Sequence, residues 1–209
     1  MKHGTQETEV KVDLVQIDEA RINDVCDNYF KWKSLNDSLR NFCSRGLNLP
    51  DAISEPIGCY ALGYFWNKGT GGDAEKPDGS KVEFKATSNF EYDLTSFGPK
   101  IDFKDLVFLR LDYDANLMYI YDTGLSATEI AKIQVNKTQT VADQQRIGRR
   151  PHVRLIESLI NARGLQPTCV FNIRKCITES ADAHPIKKPK ESESLSIADG
   201  SVADDDTKK

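Results

Sequence analysis

The sequence predicts an α/β fold in which a central mixed β-sheet is flanked by helices. Three observations support it: apolar residues recur at helical spacing over residues 17–43, a turn containing Gly79 joins two short strands, and an almost uninterrupted apolar run covers Leu106–Leu111. A strand that is apolar on both faces must be covered on both. The chain has 209 residues, which is long enough to enclose one core of this kind.

The N-terminal region favours helices. Apolar side chains from Ile17 to Cys43 predict one or two amphipathic helices within residues 12–46. A further helix is expected to begin near Ser54-Glu55-Pro56, because proline is tolerated in the first helical turn. The hairpin follows this helix directly, so we expect the helices to cover part of the sheet.

Beyond the hairpin, the pattern predicts further strands and helices. Leu106–Leu111 and Leu117–Tyr121 are expected to be strands joined by a polar connection. The capping-box sequence Ser126–Glu129 predicts the start of a short helix. Pro151–Ala162 has helical periodicity, and Thr168–Ile173 suits a last strand. This order of elements fits one mixed sheet with helices on each side.

The chain is expected to divide into a folded part and a polar tail. We predict one domain over residues 1–178. From Glu179 onward the sequence loses large apolar residues and becomes rich in Ser, Lys, Asp, Glu and Pro. Such a segment cannot bury enough surface to offset the entropy of ordering, so residues 179–209 are expected to be disordered.

Composition limits the classes of function. A formal net charge of -4 and a pI near 5.5 argue against a strongly basic nucleic-acid coat protein, though not against a local basic cleft. The five cysteines are odd in number, widely spaced and without zinc-binding spacing, which indicates a reducing cytoplasm. We find no apolar window long enough to span a membrane and no phosphate-loop motif, so we expect no membrane and no nucleotide cofactor.

The most informative segment is a predicted hairpin over residues 71–87. Lys76-Pro77-Asp78-Gly79 suits a type I turn, and its glycine favours a three-residue loop with a bulge. In that register Asp73 lies opposite Glu83, and Lys85 follows on the same face. Two neighbouring carboxylates raise each other's pKa unless a cation lies between them, so the pattern asks for a hard divalent ion such as Mg²⁺.

This prediction depends on the geometry of the turn. A two-residue loop at Asp78-Gly79 would instead pair Asp73 with Phe84 and turn Asp73 away from Glu83. The segment could also be a surface hairpin with ordinary solvated charges, since a Glu-x-Lys triplet often arises by chance. Taken with Asp73, the pattern indicates metal-dependent phosphodiester cleavage.

The segment from residue 144 to residue 154 is the most basic and amide-rich part of the predicted domain. Arginine can pair with guanine and glutamine with adenine in the major groove, and either can hold a phosphate. A solvated loop ahead of a helix is the alternative. Two hydroxyl residues that follow the hairpin are expected near the cleft as backbone contacts. The candidate DNA-binding residues are Gln144, Gln145, Arg146, Arg149, Arg150, His152, Arg154, Thr95 and Ser96.

The order of helix, D...E-x-K hairpin, central strand, second strand and helix resembles the PD-(D/E)xK nuclease superfamily. The resemblance covers roughly residues 49–173. Within that superfamily the chain is most similar to the small type II restriction endonucleases. The similar segments are Asn48–Pro50 with Ile53–Glu55, Val82–Thr87, Asp93–Pro99 and Gly148–Pro151.

The resemblance implies roles for individual residues. Asp73 and Glu83 would bind Mg²⁺ together with the main-chain carbonyl of Phe84, and Lys85 would position or help deprotonate the attacking water. Glu55 matches an acid that many members place beside the site, as a further or water-mediated ligand. A helix-start carboxylate stabilised by the helix dipole is the alternative for Glu55. One departure from the family pattern is that Asp73 follows a glycine.

The function that the resemblance implies is Mg²⁺-dependent hydrolysis of both strands of a short site in double-stranded DNA. A GC-containing interrupted palindrome such as GCNGC would be a target of this kind. A symmetric cut calls for two active sites, and therefore for a homodimer. Two alternatives stay open: a structure-selective nuclease of DNA repair or recombination, and a catalytically silent DNA-binding module.

Overall fold

A computed structural model describes residues 11–43 and 46–186, and its centre is an eight-stranded sheet. The strands in chain order are β1 (Leu14–Gln16), β2 (Phe65–Asn67), β3 (Ala74–Glu75), β4 (Lys81–Thr87), β5 (Thr95–Ser96), β6 (Asp105–Asp112), β7 (Leu117–Asp122), β8 (His152–Val153), β9 (Cys169–Asn172) and β10 (Ile177–Glu179). The large sheet has the order β1-β2-β3-β4-β6-β7-β9-β10, and β5 pairs with β8 separately. Because β4 runs parallel to β6 and antiparallel to β3, the predicted mixed sheet is confirmed.

Helices cover both faces of this sheet. The helices α1 (Glu19–Arg40) and α2 (Asp51–Leu62) pack on one face. On the other face lie α3 (Ala127–Ile130), α4 (Val141–Arg146) and a π-helix, Ile156–Asn161. No helix in the part of the chain that the structure describes is long and apolar enough to cross a membrane.

The central strand β6 separates two apolar cores. It is buried from Asp105 to Leu111. Alternate side chains point to opposite faces of a strand, so Val107 packs with the α1 and α2 core, whereas Phe108 packs with the core beneath α3 and the π-helix. The continuous apolar run therefore has the origin that the sequence predicted.

The N-terminal pattern forms one helix, α1. Its first turn is capped by Asp18, whose carboxylate accepts a hydrogen bond from the main-chain N–H of Arg21. Leu35 and Phe42, which belong to the apolar pattern, are exposed. The face that packs on the sheet consists of Ile22, Cys26, Tyr29 and Trp32.

Helix α2 begins earlier than predicted, at Asp51. The carbonyl of Pro50 accepts hydrogen bonds from the main-chain N–H groups of Ile53 and Ser54, which closes the first turn. Pro56 consequently lies inside the helix. Glu55 is the fifth helical residue, beyond the turn where the helix dipole acts strongly, so the helix-start explanation of Glu55 is wrong.

The helix predicted over Pro151–Ala162, in contrast, begins later than expected. His152 and Val153 pair with Ser96 and Thr95 as β8 and β5, and helical structure starts at Leu155. This pairing joins parts of the chain that are far apart in sequence, which local periodicity does not reveal.

The described fold continues past the predicted start of the tail. Glu179 ends β10, and a 3-10 helix follows over Ala181–Ala183. The Glu179 carboxylate accepts a hydrogen bond from the Lys175 ammonium and contacts the His184 ring. Residues 187–209 of the predicted tail lie outside the described residues.

Gly58 sets how closely α2 approaches the sheet. A Cβ atom added there would lie 2.4 Å from a ring carbon of Phe84 in β4. Phe84 is buried, so its ring has little room to move. The glycine therefore lets the helix that carries Glu55 lie against the strand that carries Glu83 and Lys85.

We expect Gly58→Ala to lower the melting temperature. Overpacking costs about 1–3 kcal/mol, and the better helix propensity of alanine offsets about 1 kcal/mol of that. Thermal unfolding followed by circular dichroism measures the change. Gly98→Ala is the control, because its new Cβ would meet no atom closer than 3.6 Å. A Gly58→Ala protein as stable as the wild type would show that the contact has room.

Candidate active site

The hairpin has the predicted three-residue loop. The N–H of Gly79 donates to the carbonyl of Lys76 at 2.9 Å, and the N–H of Lys76 donates to the carbonyl of Ser80 at 2.9 Å. Gly79 has a φ of 83°, a conformation that favours glycine. Ala74 pairs with Val82 and Glu75 with Lys81, which is the register predicted for a three-residue loop. Asp73 lies one residue beyond these pairs, and its N–H donates to the carbonyl of Val82 at 3.3 Å. The predicted turn and strand register are therefore confirmed.

The Asp73 carboxylate is held against the edge of β4. Its Oδ2 accepts a hydrogen bond of 2.8 Å from the main-chain N–H of Phe84. Burial, and then the negative charge of Glu83, raise the pKa of Asp73 to about 6, although the Phe84 hydrogen bond opposes the rise. Repulsion between the two carboxylates, which the sequence predicted, is thus present in the structure.

Glu83 and Lys85 form an ion pair beside Asp73. The Lys85 Nζ lies 2.5 Å from Glu83 Oε1, and about a fifth of each side chain is exposed. The ammonium group also lies 5.8 Å from the centre of the Phe97 ring. The Lys85 ammonium and the Glu83 carboxylate therefore lie side by side near Asp73.

Glu55 approaches the site from α2. Its Oε2 accepts a hydrogen bond of 2.8 Å from the indole N–H of Trp66 in β2. Burial, and then the negative charge of Asp73, raise the pKa of Glu55 to about 8. Without a cation this carboxyl group is largely protonated at neutral pH.

These elements enclose a cleft of about 470 Å³. Ion pairing with Lys85 links Glu83 to the cleft, although Glu83 is not among the lining residues. Two acids that sequence reasoning passed over, Asp51 and Asp93, also line it. The predicted site residues in the lining are Glu55, Asp73, Phe84, Lys85, Thr95 and Ser96.

The donor set suits a hard divalent ion. Asp73 accepts the Phe84 N–H on the edge of β4 that β3 leaves unpaired, and the carbonyl of Phe84 lies on that same edge. Within residues 11–43 and 46–186 no three His, Cys, Asp or Glu side chains form one cluster that could hold a metal. Two carboxylates, a main-chain carbonyl and waters match the way proteins usually bind Mg²⁺.

The predicted DNA-binding segment divides into exposed and engaged side chains. Arg146, Arg149 and Arg150 are exposed at and beyond the end of α4. Gln145 is half-buried, and its Nε2 donates to the carbonyl of Gly98 at 2.6 Å. Gln144 is half-buried as well. Arg146 donates to the Asp143 carboxylate at 3.0 Å, so Arg149 and Arg150 are the freer candidates for contacts with DNA.

The structure joins this segment to the cleft. His152 and Val153 pair with Ser96 and Thr95, so His152 is tied through its strand to a residue that lines the cleft. Thr95 is buried, and its hydroxyl donates to Asp93 at 2.8 Å. Ser96 and His152 are more accessible than Thr95.

Sequence reasoning missed two contacts that position the site. The indole N–H of Trp66 donates a hydrogen bond to Glu55. Asp93 accepts hydrogen bonds from the Thr95 hydroxyl and from the main-chain N–H groups of Leu155 and Ile156. Nothing local signalled the Trp66 contact. The sequence Asp93-Leu94-Thr95 offered a weak signal, because aspartate and threonine often bond nearby main-chain groups.

Comparison with known proteins identifies a family for this chain. A family model described as Bsp6I restriction endonuclease matches residues 17–162, which include the hairpin and the basic segment. The type II restriction enzyme Bsp6I of Bacillus sp. (strain RFL6) is 45% identical over 163 residues, which are 78% of this chain and 94% of the relative. No solved structure matches the chain. The chain therefore belongs to the Bsp6I restriction endonuclease family, and it is a type II restriction endonuclease.

Proposed function

We propose that this restriction endonuclease is a PD-(D/E)xK enzyme that uses Mg²⁺ to hydrolyse both strands of a short site in double-stranded DNA. The proposal includes a single nuclease domain with a polar tail and a cytoplasmic location. The observation that supports the proposal is the register of the hairpin together with the hydrogen bond from the Phe84 N–H to Asp73, which leaves the Asp73 carboxylate near the charges of Glu83 and Lys85. Family membership supports the type of enzyme, and the donor set supports the metal.

Asp73, Glu83 and the carbonyl of Phe84 are our proposed metal ligands. Burial and the charge of Glu83 raise the pKa of Asp73 to about 6, and a cation between the carboxylates would remove that repulsion. We propose Glu55 as a further or water-mediated ligand, because its pKa is raised partly by Asp73. When bound, Mg²⁺ would lower the pKa of a coordinated water and neutralise charge that develops on the phosphate.

Lys85 is our proposed residue for positioning the attacking water. Its ammonium already donates to Glu83 and lines the same cleft as Asp73. An ammonium group has three donors, so Lys85 can keep the Glu83 contact while a second N–H orients water or stabilises charge on the phosphate.

DNA recognition is assigned to the segment from residue 144 to residue 154, with Ser96 beside it. Thr95 is a candidate from the sequence as well, but it is buried and its hydroxyl donates to Asp93, so we propose that it supports this region without contacting DNA. We propose that Arg146, Arg149 and Arg150 make the main contacts, because they are exposed. Gln144, Gln145, His152 and Arg154 are the remaining candidates. Arginine suits both guanine edges and phosphates, so the segment could supply both kinds of contact.

A homodimer and a symmetric target complete the proposal. Cutting both strands of a palindrome requires two equivalent sites, which a two-fold dimer provides. We propose a GC-containing interrupted palindrome such as GCNGC as the target, which rests on the resemblance of the sequence motifs.

The proposed function is tested with unmethylated plasmid DNA incubated with purified protein in Mg²⁺ or in EDTA. Discrete fragments that appear only with Mg²⁺ and share one terminal sequence are expected, and the ends give the site and the position of the cut. Cleavage confined to branched junctions, or specific binding without cleavage, would contradict the proposal.

We expect Asp73→Asn to abolish cleavage while the protein stays folded. The substitution removes a charged oxygen ligand, and the amide oxygen can still accept the Phe84 N–H. Asp78→Asn is the matched control, since Asp78 lies exposed in the loop. Cleavage rates on the identified site measure both variants. Loss of cleavage in Asp78→Asn alone would show that Asp78, not Asp73, is the ligand, and equal losses in the two variants would contradict a role specific to Asp73.

We also expect Asp73→Asn to stabilise the metal-free protein at pH 8. The folded-state pKa of Asp73 is about 6, above the value near 4 for an unfolded chain. Charged Asp73 therefore destabilises the fold above pH 6, and this cost fades as the pH falls through 6 towards 4. Thermal unfolding in EDTA should show a gain of about 1 kcal/mol at pH 8 and almost none at pH 4. A gain independent of pH would contradict this explanation.

Substitution of Arg149 or Arg150 by alanine tests recognition. Removal of an arginine that contacts a base should cost about 1–3 kcal/mol of affinity for the correct site and relax specificity at one position. Removal of an arginine that holds a phosphate should weaken binding to all sequences and reduce the salt dependence instead. Fluorescence anisotropy with specific and altered duplexes separates the two. Arg163→Ala, an exposed arginine outside the segment, is the control.

A further inference from the structure

Asp93 is a buried carboxylate in the loop that follows β4. Only 4% of the residue is exposed. Its Oδ2 accepts hydrogen bonds of 2.8 Å from the N–H of Leu155 and from the hydroxyl of Thr95, and its Oδ1 accepts one of 2.8 Å from the N–H of Ile156. Within residues 11–43 and 46–186 no basic side chain forms an ion pair with it.

Asp93 acts as a helix cap from a distant part of the chain. Leu155 and Ile156 open the last long helical segment, and the hydrogen bond to Leu155 spans 62 positions in sequence. The first N–H groups of a helix lack partners within the helix, and a negative charge there is stabilised by the helix dipole. This arrangement accounts for a buried carboxylate without a cation.

Other contacts around Asp93 join the same two segments. β5 pairs with β8, and the N–H of Phe97 donates to the carbonyl of Pro151 at 3.1 Å. Gln145 donates to the carbonyl of Gly98. The Arg154 guanidinium lies 5.0 Å from the centre of the Tyr92 ring. Asp93 adds two links through one side chain, the hydrogen bonds from Leu155 and Ile156, and it is the only buried charge among these contacts.

Each of the two segments has a part in the proposed function. The loop carrying Asp93 leaves the end of β4, the strand of Glu83 and Lys85, and lines the catalytic cleft. The other segment holds the exposed arginines that are proposed to contact DNA. We propose that Asp93 is a positioning residue for cleavage, which fixes the DNA-reading segment relative to the catalytic strand. This inference rests on the proposed function.

The physical reason lies in the precision that the reaction requires. A displacement of about 1 Å between a scissile phosphate and its catalytic groups can reduce the rate about a hundredfold. Contacts between DNA and exposed arginines can survive such a shift, because those side chains are long and mobile. Loss of the Asp93 link should therefore affect the rate of cleavage far more than the affinity for DNA.

The test compares wild type, Asp93→Asn and Asp93→Ser on a duplex that contains the site found from the plasmid fragments. Single-turnover cleavage is measured with Mg²⁺, and Kd is measured with Ca²⁺, which takes the same kinds of oxygen ligand. Serine is a good cap but offers fewer acceptors. We expect the rate to fall tenfold to a hundredfold in Asp93→Asn, which keeps one acceptor oxygen at the same reach, and at least as far in Asp93→Ser, with Kd changed less than threefold.

Thr95→Val is a second, milder test of the Asp93 link in case the Asp93 variants fail to fold. It removes only the hydroxyl that donates to Asp93 and keeps a branched side chain of similar size, so a smaller loss of rate at nearly constant Kd is expected. Glu91→Gln, an exposed carboxylate two residues from Asp93, is the matched control and should cleave at the wild-type rate.

Two results would overturn the proposal: folded Asp93 and Thr95 variants that cleave at the wild-type rate, or losses of rate that match the losses of affinity. The first result would leave Asp93 as a cap that serves stability alone, and the second would give it a role in DNA binding. Failure of the wild-type enzyme to cleave would instead reject the proposed function, so the two failures are distinguishable.

Discussion

The register of one hairpin is the constraint on which the rest of the site depends. Shifting the pairing of β3 and β4 by one residue would turn Asp73 to the other face of the sheet, and no repacking of helices could restore it. The loop at Gly79 sets this register, and Lys76 reinforces it by pairing with Asp105 at the start of β6. The turn is thus anchored to the buried central strand β6.

The charges of the site act against the stability of the fold. Burial and mutual repulsion raise the pKa of Asp73 to about 6 and that of Glu55 to about 8, so each carboxylate is less favourable here than in water. Close packing at Gly58 and the two cores around β6 hold these groups together regardless. Strain of this kind is expected where a site is preorganised for a cation that is added later.

Sequence predicted the parts of the molecule that rest on local chemistry. The turn at Gly79, the apolar strand β6 and the capping box at Ser126 each carry their signal within a few residues. The strand β8 was missed because two residues give no periodicity, and because its partner β5 is distant in sequence. Glu55 was recognised as a candidate, but its contact with Trp66 in β2 depends on tertiary packing alone.

The sequence also could not predict the contacts that connect the candidate catalytic strand with the segment of exposed arginines. β4 carries the candidate catalytic groups, and the segment after α4 carries the exposed arginines, yet these two parts share no strand of the large sheet. Their connection is the small β5–β8 sheet and the two hydrogen bonds that Leu155 and Ile156 donate to Asp93. Because Asp93, Leu155 and Ile156 are all buried, this connection does not depend on the exposed residues beyond α4, and substitutions there should leave the geometry of the cleft unchanged.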